Sequence, residues 1–197
     1  MKPSDYQNIF RDLKRFDSEI SHRRLESVAG AAFRFLGELQ QQPYASLVLN
    51  DPDNKKLRML TRSAGDAVSA EPFSAGDPPS LIATALAKGE AVYCRDVPEA
   101  RERGDALAGR VPGEILSIAV LPLWTAGAVM GTINVGSNRV DWFVEKQRVF
   151  LEAAATRLTA ALQSAQVLEA LYATCERLQK ECDLQKSALE KSHDELE

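Results

Sequence analysis

Residues 117–137 read SIAVLPLWTAGAVMGTINVGS, two apolar runs on either side of a small turn, and no other segment limits the fold so strongly. The pattern predicts a β-hairpin. Successive strand residues point to opposite faces, so Val129, Ile133 and Val135 share one face, while Met130, Thr132 and Asn134 share the other. The first face is apolar and must pack on helices. The second is mixed, as a ligand-bearing face is, because small ligands need a few fixed polar groups among apolar ones. Gly131 interrupts the second run and predicts a close approach of backbone and helix there.

The rest of the chain supplies those helices. Ser4-x-x-Gln7 has capping-box form and opens a first helix, with Ile9, Phe10 and Leu13 on one face. From Ser21 to Gln41, Leu25, Val28, Ala29, Ala32, Phe33, Leu36 and Leu39 recur at helical spacing. YASLVLN alternates and is followed by DPDN and KKLRML, which reads as strand, turn, strand. Here Tyr44, Ser46, Val48 and Asn50 separate from Ala45, Leu47 and Leu49. Residues 61–79 are rich in Gly, Ser, Ala and Pro and read as a loop with room for a short strand. PSLIATALAKGE reads as a short helix closed by Gly89, and AVYCRDV as a strand. Residues 98–113, charged and broken by Gly and Pro, read as an exposed, mobile segment. A second long helix is expected from Trp142, with Phe150, Leu151, Ala154, Leu158, Ala161, Leu162 and Ala165 as its stripe; no Gly or Pro occurs after that point. Strands grouped between terminal helices predict an α+β domain. An antiparallel sheet carries the long helices on one face, with loops and short helices on the other.

Composition narrows the function. Of 197 residues, 45% are apolar, enough for a core. The net charge of −4 gives no basic field for general nucleic-acid binding. No apolar run reaches the length of a membrane span, and the N-terminus has no signal-peptide core. Three cysteines without paired spacing fit a reducing compartment, so a cytoplasmic protein is expected.

Catalytic signals are absent. The two histidines, His22 and His193, lie at the start of a helix and in the tail, without triad context. No phosphate-binding loop, dinucleotide fingerprint or nucleophile elbow occurs. No Cys/His cluster offers a zinc site. Cys94, with Asp96, Glu99 and Glu102 near it, has two readings: a metal or redox position, or a strand cysteine packed as a small hydrophobe.

Five pieces, in this order, resemble a GAF domain, a small-molecule sensory module related to the PAS domain. They are a helix leading into YASLVLNDPDNKKLRML, then SLIATALAKGEAVYCRDVP, SIAVLPL, GAVMGTINVGS and the helix FVEKQRVFLEAAATRLTAAL. The resemblance spans residues 21–168. It implies a six-stranded antiparallel sheet, a ligand-sized cavity on one face, dimerisation through terminal helices and a role in signalling. Relatives that reduce methionine sulfoxide need several cysteines in the domain; here Cys94 stands alone in it, so no enzyme is expected. The cyclic-GMP signature is echoed only by Asn138, Phe143 and Glu145, and a bilin-bearing cysteine would want a histidine beside it. No cofactor is identified. The expected ligand pocket comprises Ser46, Cys94, Ser117, Thr132 and Asn134, with Asp96 at its rim. The same polar groups could instead bond to covering loops.

After residue 167 a heptad seam begins: Leu168, Leu171, Cys175, Leu178, Cys182, Gln185, Leu189, Ser192 and Leu196. Spacings alternate three and four, as the a and d positions of a coiled coil require. The expected organisation is an N-terminal helix over 1–20, a sensory domain over 21–167 and a coiled-coil signalling helix over 168–197. A parallel homodimer would set Cys175 and Cys182 against their twins. The seam still runs at Leu196, so an effector on a longer protein is expected; a plain dimerisation tail has the same pattern.

Overall fold

A computed structural model describes residues 3–21, 24–40, 44–51, 56–62, 67–74 and 80–194, with side chains of the last helix through residue 186. The elements are α1 (Pro3–Glu19), α2 (Leu25–Gln40), β1 (Tyr44–Asp51), β2 (Lys56–Arg62), β3 (Val68–Phe73) and α3 (Leu81–Lys88). Then follow β4 (Val92–Cys94), α4 (Val97–Glu102), β5 (Ser117–Thr125), β6 (Ala128–Ser137) and α5 (Glu145–Asp194). The six strands form one sheet in the order β3-β2-β1-β6-β5-β4, each neighbouring pair antiparallel. This is the expected α+β architecture. The DPDN turn lies almost wholly outside the described residues.

The sheet divides the core in two. On one face Leu47, Leu49, Leu60, Leu121, Leu123, Ile133 and Val135 pack against α1, α2 and α5 through Phe16, Phe33, Leu36, Phe150, Leu158 and Leu162. On the other, Val48, Met59, Ile118 and Val120 pack under α3, α4 and the segment between α4 and β5. We call these the helix side and the cap side. The alternation of β1 and β6 thus sorts residues as read from sequence except at the start of β6, where Val129 is not part of the helix-side core. Met130 packs on the helix side, because a register shift at Leu123/Trp124 sets Gly131 opposite Leu123 but Val129 opposite Trp124. The extra residue reverses the alternation there.

Gly131 is a close-approach site, but not toward a helix. A Cβ there would fall 2.1 Å from the carbonyl oxygen of Val48 and 2.9 Å from Leu49 Cα on the adjoining strand.

Helix boundaries are set locally. The stripe of α1 is Ile9, Leu13 and Phe16, continued by Ile20 just past its end, while Phe10 is 69% exposed; steps of three and four residues keep one face, and Phe10 falls off it. The second helix begins at Leu25 rather than Ser21. Glu169 Oε1 accepts the Leu25 N–H at 3.0 Å and satisfies the free amide of its first turn. The last helix begins at Glu145, not Trp142. Asp141 has a φ of 50°, its carboxylate pairs with Arg95 at 3.2 Å, and the first helical bond runs from Arg148 N to Val144 O. With 50 residues, α5 is about 75 Å long. Its expected stripe is buried against the domain, and all side chains from Ala170 through Lys186 are exposed.

Candidate functional site

The cap side carries the mixed face. At its centre three polar residues stand fully buried on neighbouring strands: Ser46 on β1 and Thr132 and Asn134 on β6. Ser46 is paired with Asn134 in the ladder. Thr132 Oγ1 donates to Asn134 Oδ1 at 3.0 Å, and Asn134 Nδ2 donates to Ser46 Oγ at 3.1 Å. Tyr44 OH donates to Ser46 Oγ at 2.9 Å. Sequence reasoning placed Tyr44 on this face but did not count it as a site residue. Its hydroxyl extends the row, and burial pushes its pKa up to about 12, so the phenol stays a neutral donor.

This row sits in an apolar surround. Val48, Val120, Ile118 and Ile82 nearby are entirely buried. Burying an amide and hydroxyls costs roughly 1–3 kcal/mol each unless they are hydrogen-bonded, and here they satisfy one another. Ser46 Oγ accepts twice, which leaves its own proton for a further acceptor.

The cap is more firmly built than the sequence suggests. Residues 98–113 are not an exposed strap, for Ala100, Leu107, Ala108 and Val111 are buried against the sheet. Two charged residues brace the segment from inside. Asp105 accepts the N–H of Leu81 at 2.7 Å, and those of Leu107 and Ala108 at 3.0 and 2.8 Å. Arg101 donates to the carbonyls of Ala108, Val111 and Pro112 at 2.9, 3.1 and 3.3 Å. Ser80 caps α3 through Ala83 N at 3.0 Å, and Gly89 closes it at a φ of 65°.

The other expected pocket residues lie apart from the row. Ser117 is buried, but its hydroxyl donates to the Arg139 carbonyl at 2.7 Å and holds the loop after β6. Asp96 caps α4, with Oδ1 accepting Glu99 N at 2.9 Å, and its position shortens β4 to Val92–Cys94. Cys94 is half-buried against the cap-side core, with Sγ donating to the Asp96 carbonyl at 3.2 Å. Burial raises its pKa, the opposite of what a reactive thiolate needs. Among the described residues no three of His, Cys, Asp and Glu gather as metal ligands.

A concavity of about 300 Å³ lies on the helix side, between the turn after α3, the end of β5 and α5. No sequence signal marks it, because its walls come from three distant segments.

The seam residues are placed differently. Leu168 is half-buried, Leu171 and Leu178 are over half exposed, and Cys175 and Cys182 face solvent. The side chain of Leu189 lies outside the described residues. No described helix is long and apolar enough to cross a membrane.

Comparison with known proteins places this architecture. The family model described as GAF domain matches residues 22–163. The GAF domain of an Acinetobacter phosphoenolpyruvate-protein phosphotransferase is 19% identical, with 85% of this chain and 97% of that one covered and a TM-score of 0.65. The GAF domain of a Coxiella burnetii phosphoenolpyruvate-protein phosphotransferase is 17% identical, covers 83% of this chain and 98% of that one, and has a TM-score of 0.67. A free methionine-R-sulfoxide reductase from Neisseria meningitidis, solved with its substrate, is 18% identical, with coverages of 84% and 94% and a TM-score of 0.63. These identities establish a shared fold. No curated protein matches the chain by sequence.

Proposed function

The chain belongs to the GAF domain family, and from that premise we propose that it is the sensory module of a cytoplasmic signal-transduction protein, such as a sensor histidine kinase or a cyclic-dinucleotide enzyme. It takes a small ligand on the cap side and transmits through a dimeric helical bundle. One observation carries this reading: the buried row Tyr44–Ser46–Asn134–Thr132 in an otherwise apolar face. A ligand with hydrogen-bonding groups would exchange partners with this row, and α3 and α4 would have to shift from the sheet to admit it.

Transmission has a short path. Alternate residues of the same two strands face the ligand side and the helices: Ser46 adjoins Leu47, and Asn134 stands between Ile133 and Val135. A ligand that binds one arrangement of these strands better than another biases how α2 and α5 pack. Homodimerisation through the terminal helices would present that change to an effector on a longer chain. Exposed Leu171 and Leu178 on α5, and Tyr6 and Phe10 on α1, support such an interface. A redox signal at Cys94 has less support, since burial disfavours its thiolate.

A regulatory role is favoured over catalysis. Cys94 is half-buried in the domain, and Cys175 and Cys182 lie on α5 beyond it. An assay with free methionine sulfoxide tests this, and turnover would overturn it.

The packing of the cap supports a second reading, a ligand-free GAF module for dimerisation or docking. Ile82, Val97, Leu107, Ile118 and Val120 leave no exposed surface. Native mass spectrometry of the purified protein separates the two readings. A bound metabolite lost on Asn134→Leu supports the sensor. Unliganded protein, with no amide shifts at Ser46, Thr132 or Asn134 on adding cell-extract metabolites, supports the second.

A further inference from the structure

The helix-side groove has a chemistry of its own. It lies where β5 loses its outer neighbour: β4 pairs only with Ile118, Ala119 and Val120, and the strand runs on to Thr125 without a partner on that side. The gap is bounded by Leu121 and Pro122 of β5, the turn after α3 and one face of α5. A volume of about 300 Å³ is at the small end of ligand sites.

Its aromatic wall is fixed in advance. Trp124 Nε1 donates to the Gly89 carbonyl at 2.9 Å. Any Cβ at Gly89 would fall 2.1 Å from the indole Cζ2, so the glycine is what lets the ring lie on the turn. Trp124 nevertheless remains 52% exposed. A ring held by its N–H and one contact, with its surface open to a groove, is a platform for a flat or cationic group.

The charged groups in the lining have one sign. Glu90 and Glu152 line the groove, and no Lys or Arg does. Glu152 is held in place, since Tyr93 OH donates to its Oε1 at 2.8 Å. Burial and the neighbouring carboxylate push the Tyr93 pKa far up, so that donor is retained. Arg148, beside the Tyr93–Glu152 pair, is engaged elsewhere, over the Tyr93 ring at 4.4 Å and donating to the Phe143 carbonyl at 2.6 Å, and Lys88, which precedes Gly89, is not in the lining.

We propose that this groove binds small organic cations with a flat or apolar body, the body against Leu121, Pro122 and the Trp124 indole, the charge toward Glu90 and Glu152. Anions are disfavoured by both carboxylates, and neutral analogues forgo the ion pair and the cation–π contact. The site is on the opposite face of the sheet from the buried polar row, so it can be present whether or not the cap side takes a ligand.

The test is a titration of the ¹⁵N-labelled full chain with benzylamine, benzyl alcohol and benzoate. Benzylamine should move the Trp124 indole N–H and the Ala91 amide saturably, with millimolar affinity that weakens as salt is added. Benzyl alcohol should bind about tenfold more weakly, and benzoate should not saturate. Glu90→Gln and Trp124→Leu, followed at Ala91, should each weaken benzylamine several-fold while the remaining spectrum is retained. Equal binding of the amine and the alcohol, absence of saturable shifts, or shifts confined to Ser46, Thr132 and Asn134 would overturn the proposal. The last of these would leave the cap-side reading intact.

Discussion

The backbone N–H of Leu25, the first residue of α2, donates to Glu169 Oε1 at 3.0 Å, across 144 positions of sequence. Glu169 adjoins Ala170, where the run of exposed side chains on α5 begins. The carboxylate therefore caps one helix with the last turn by which the other touches the domain, and it also suits the positive end of the α2 dipole. Glu169→Ala should lower stability by about 1 kcal/mol, the usual cost of losing a cap. It should also speed amide exchange in the first turn of α2. Unchanged exchange there would show that the cap does not hold this junction.

Gly131 should be intolerant of any side chain. The obstacle is the Val48 carbonyl 2.1 Å from a built Cβ, a backbone atom in a paired strand that cannot step aside. Gly131→Ala should cost roughly 3 kcal/mol or more in urea unfolding. Gly113→Ala, which meets nothing within 4 Å, should stay within about 0.5 kcal/mol. Similar values for the two would refute the close-approach account.

Tyr44 predicts an alkaline loss of stability. Its folded pKa is raised to about 12 by burial, above the free value near 10. The folded state thus holds a proton that the unfolded state gives up. That contribution is complete below about pH 10 and is lost as pH rises through about 12, with a total of roughly 2–3 kcal/mol. Tyr93 is shifted in the same sense, so the measurement is the difference between the wild type and Tyr44→Phe. Urea midpoints of the two should converge as pH rises from about 10 to about 12. Parallel curves would contradict it.

Cys94 should react slowly. It is half-buried, its thiol donates to Asp96 O, and burial raises its pKa; Cys175 and Cys182 are exposed. Iodoacetamide at mildly alkaline pH should label the two helix cysteines first, as read by peptide mass spectrometry. If Cys94 leads, its thiolate is stabilised by something other than these surroundings, and the redox form of the sensor regains support.

The dimer is tested by light scattering at tens of micromolar. The wild type should run as a dimer, and Leu171→Lys/Leu178→Lys as a folded monomer, since these exposed leucines belong to the seam expected from the heptad spacing. A monomeric wild type would remove the dimer from the proposed mechanism.

Much of the fold was legible because alternation and helical periodicity follow directly from burial. Leu47 and Ser46, or Ile133 and Asn134, take opposite faces as any half-buried strand requires. The cap was not legible. Its buried residues Ala100, Leu107, Ala108 and Val111 follow no period, and its two internal braces, Arg101 and Asp105, look like surface charges until their backbone partners are seen. Ser117 is expected on the cap face, but it alternates with Ile118 and Val120, which face the cap, and so falls in step with Ala119 and Leu121 on the helix side; the Arg139 carbonyl claims its hydroxyl. Met130 was misplaced because one inserted residue reverses everything beyond it. Of the candidate site, Ser46, Thr132 and Asn134 come together, while Cys94, Asp96 and Ser117 do not join their row.

The length of α5 beyond Glu169 would turn a small rearrangement into a large one. From Ala170 to Asp194 the helix continues for about 37 Å, as a stiff arm whose fulcrum is the Leu25–Glu169 contact. A tilt of roughly 5° at that fulcrum would swing the far end by about 3 Å. A shift too slight to notice inside the domain thus arrives at the tip as more than half the rise of a helical turn.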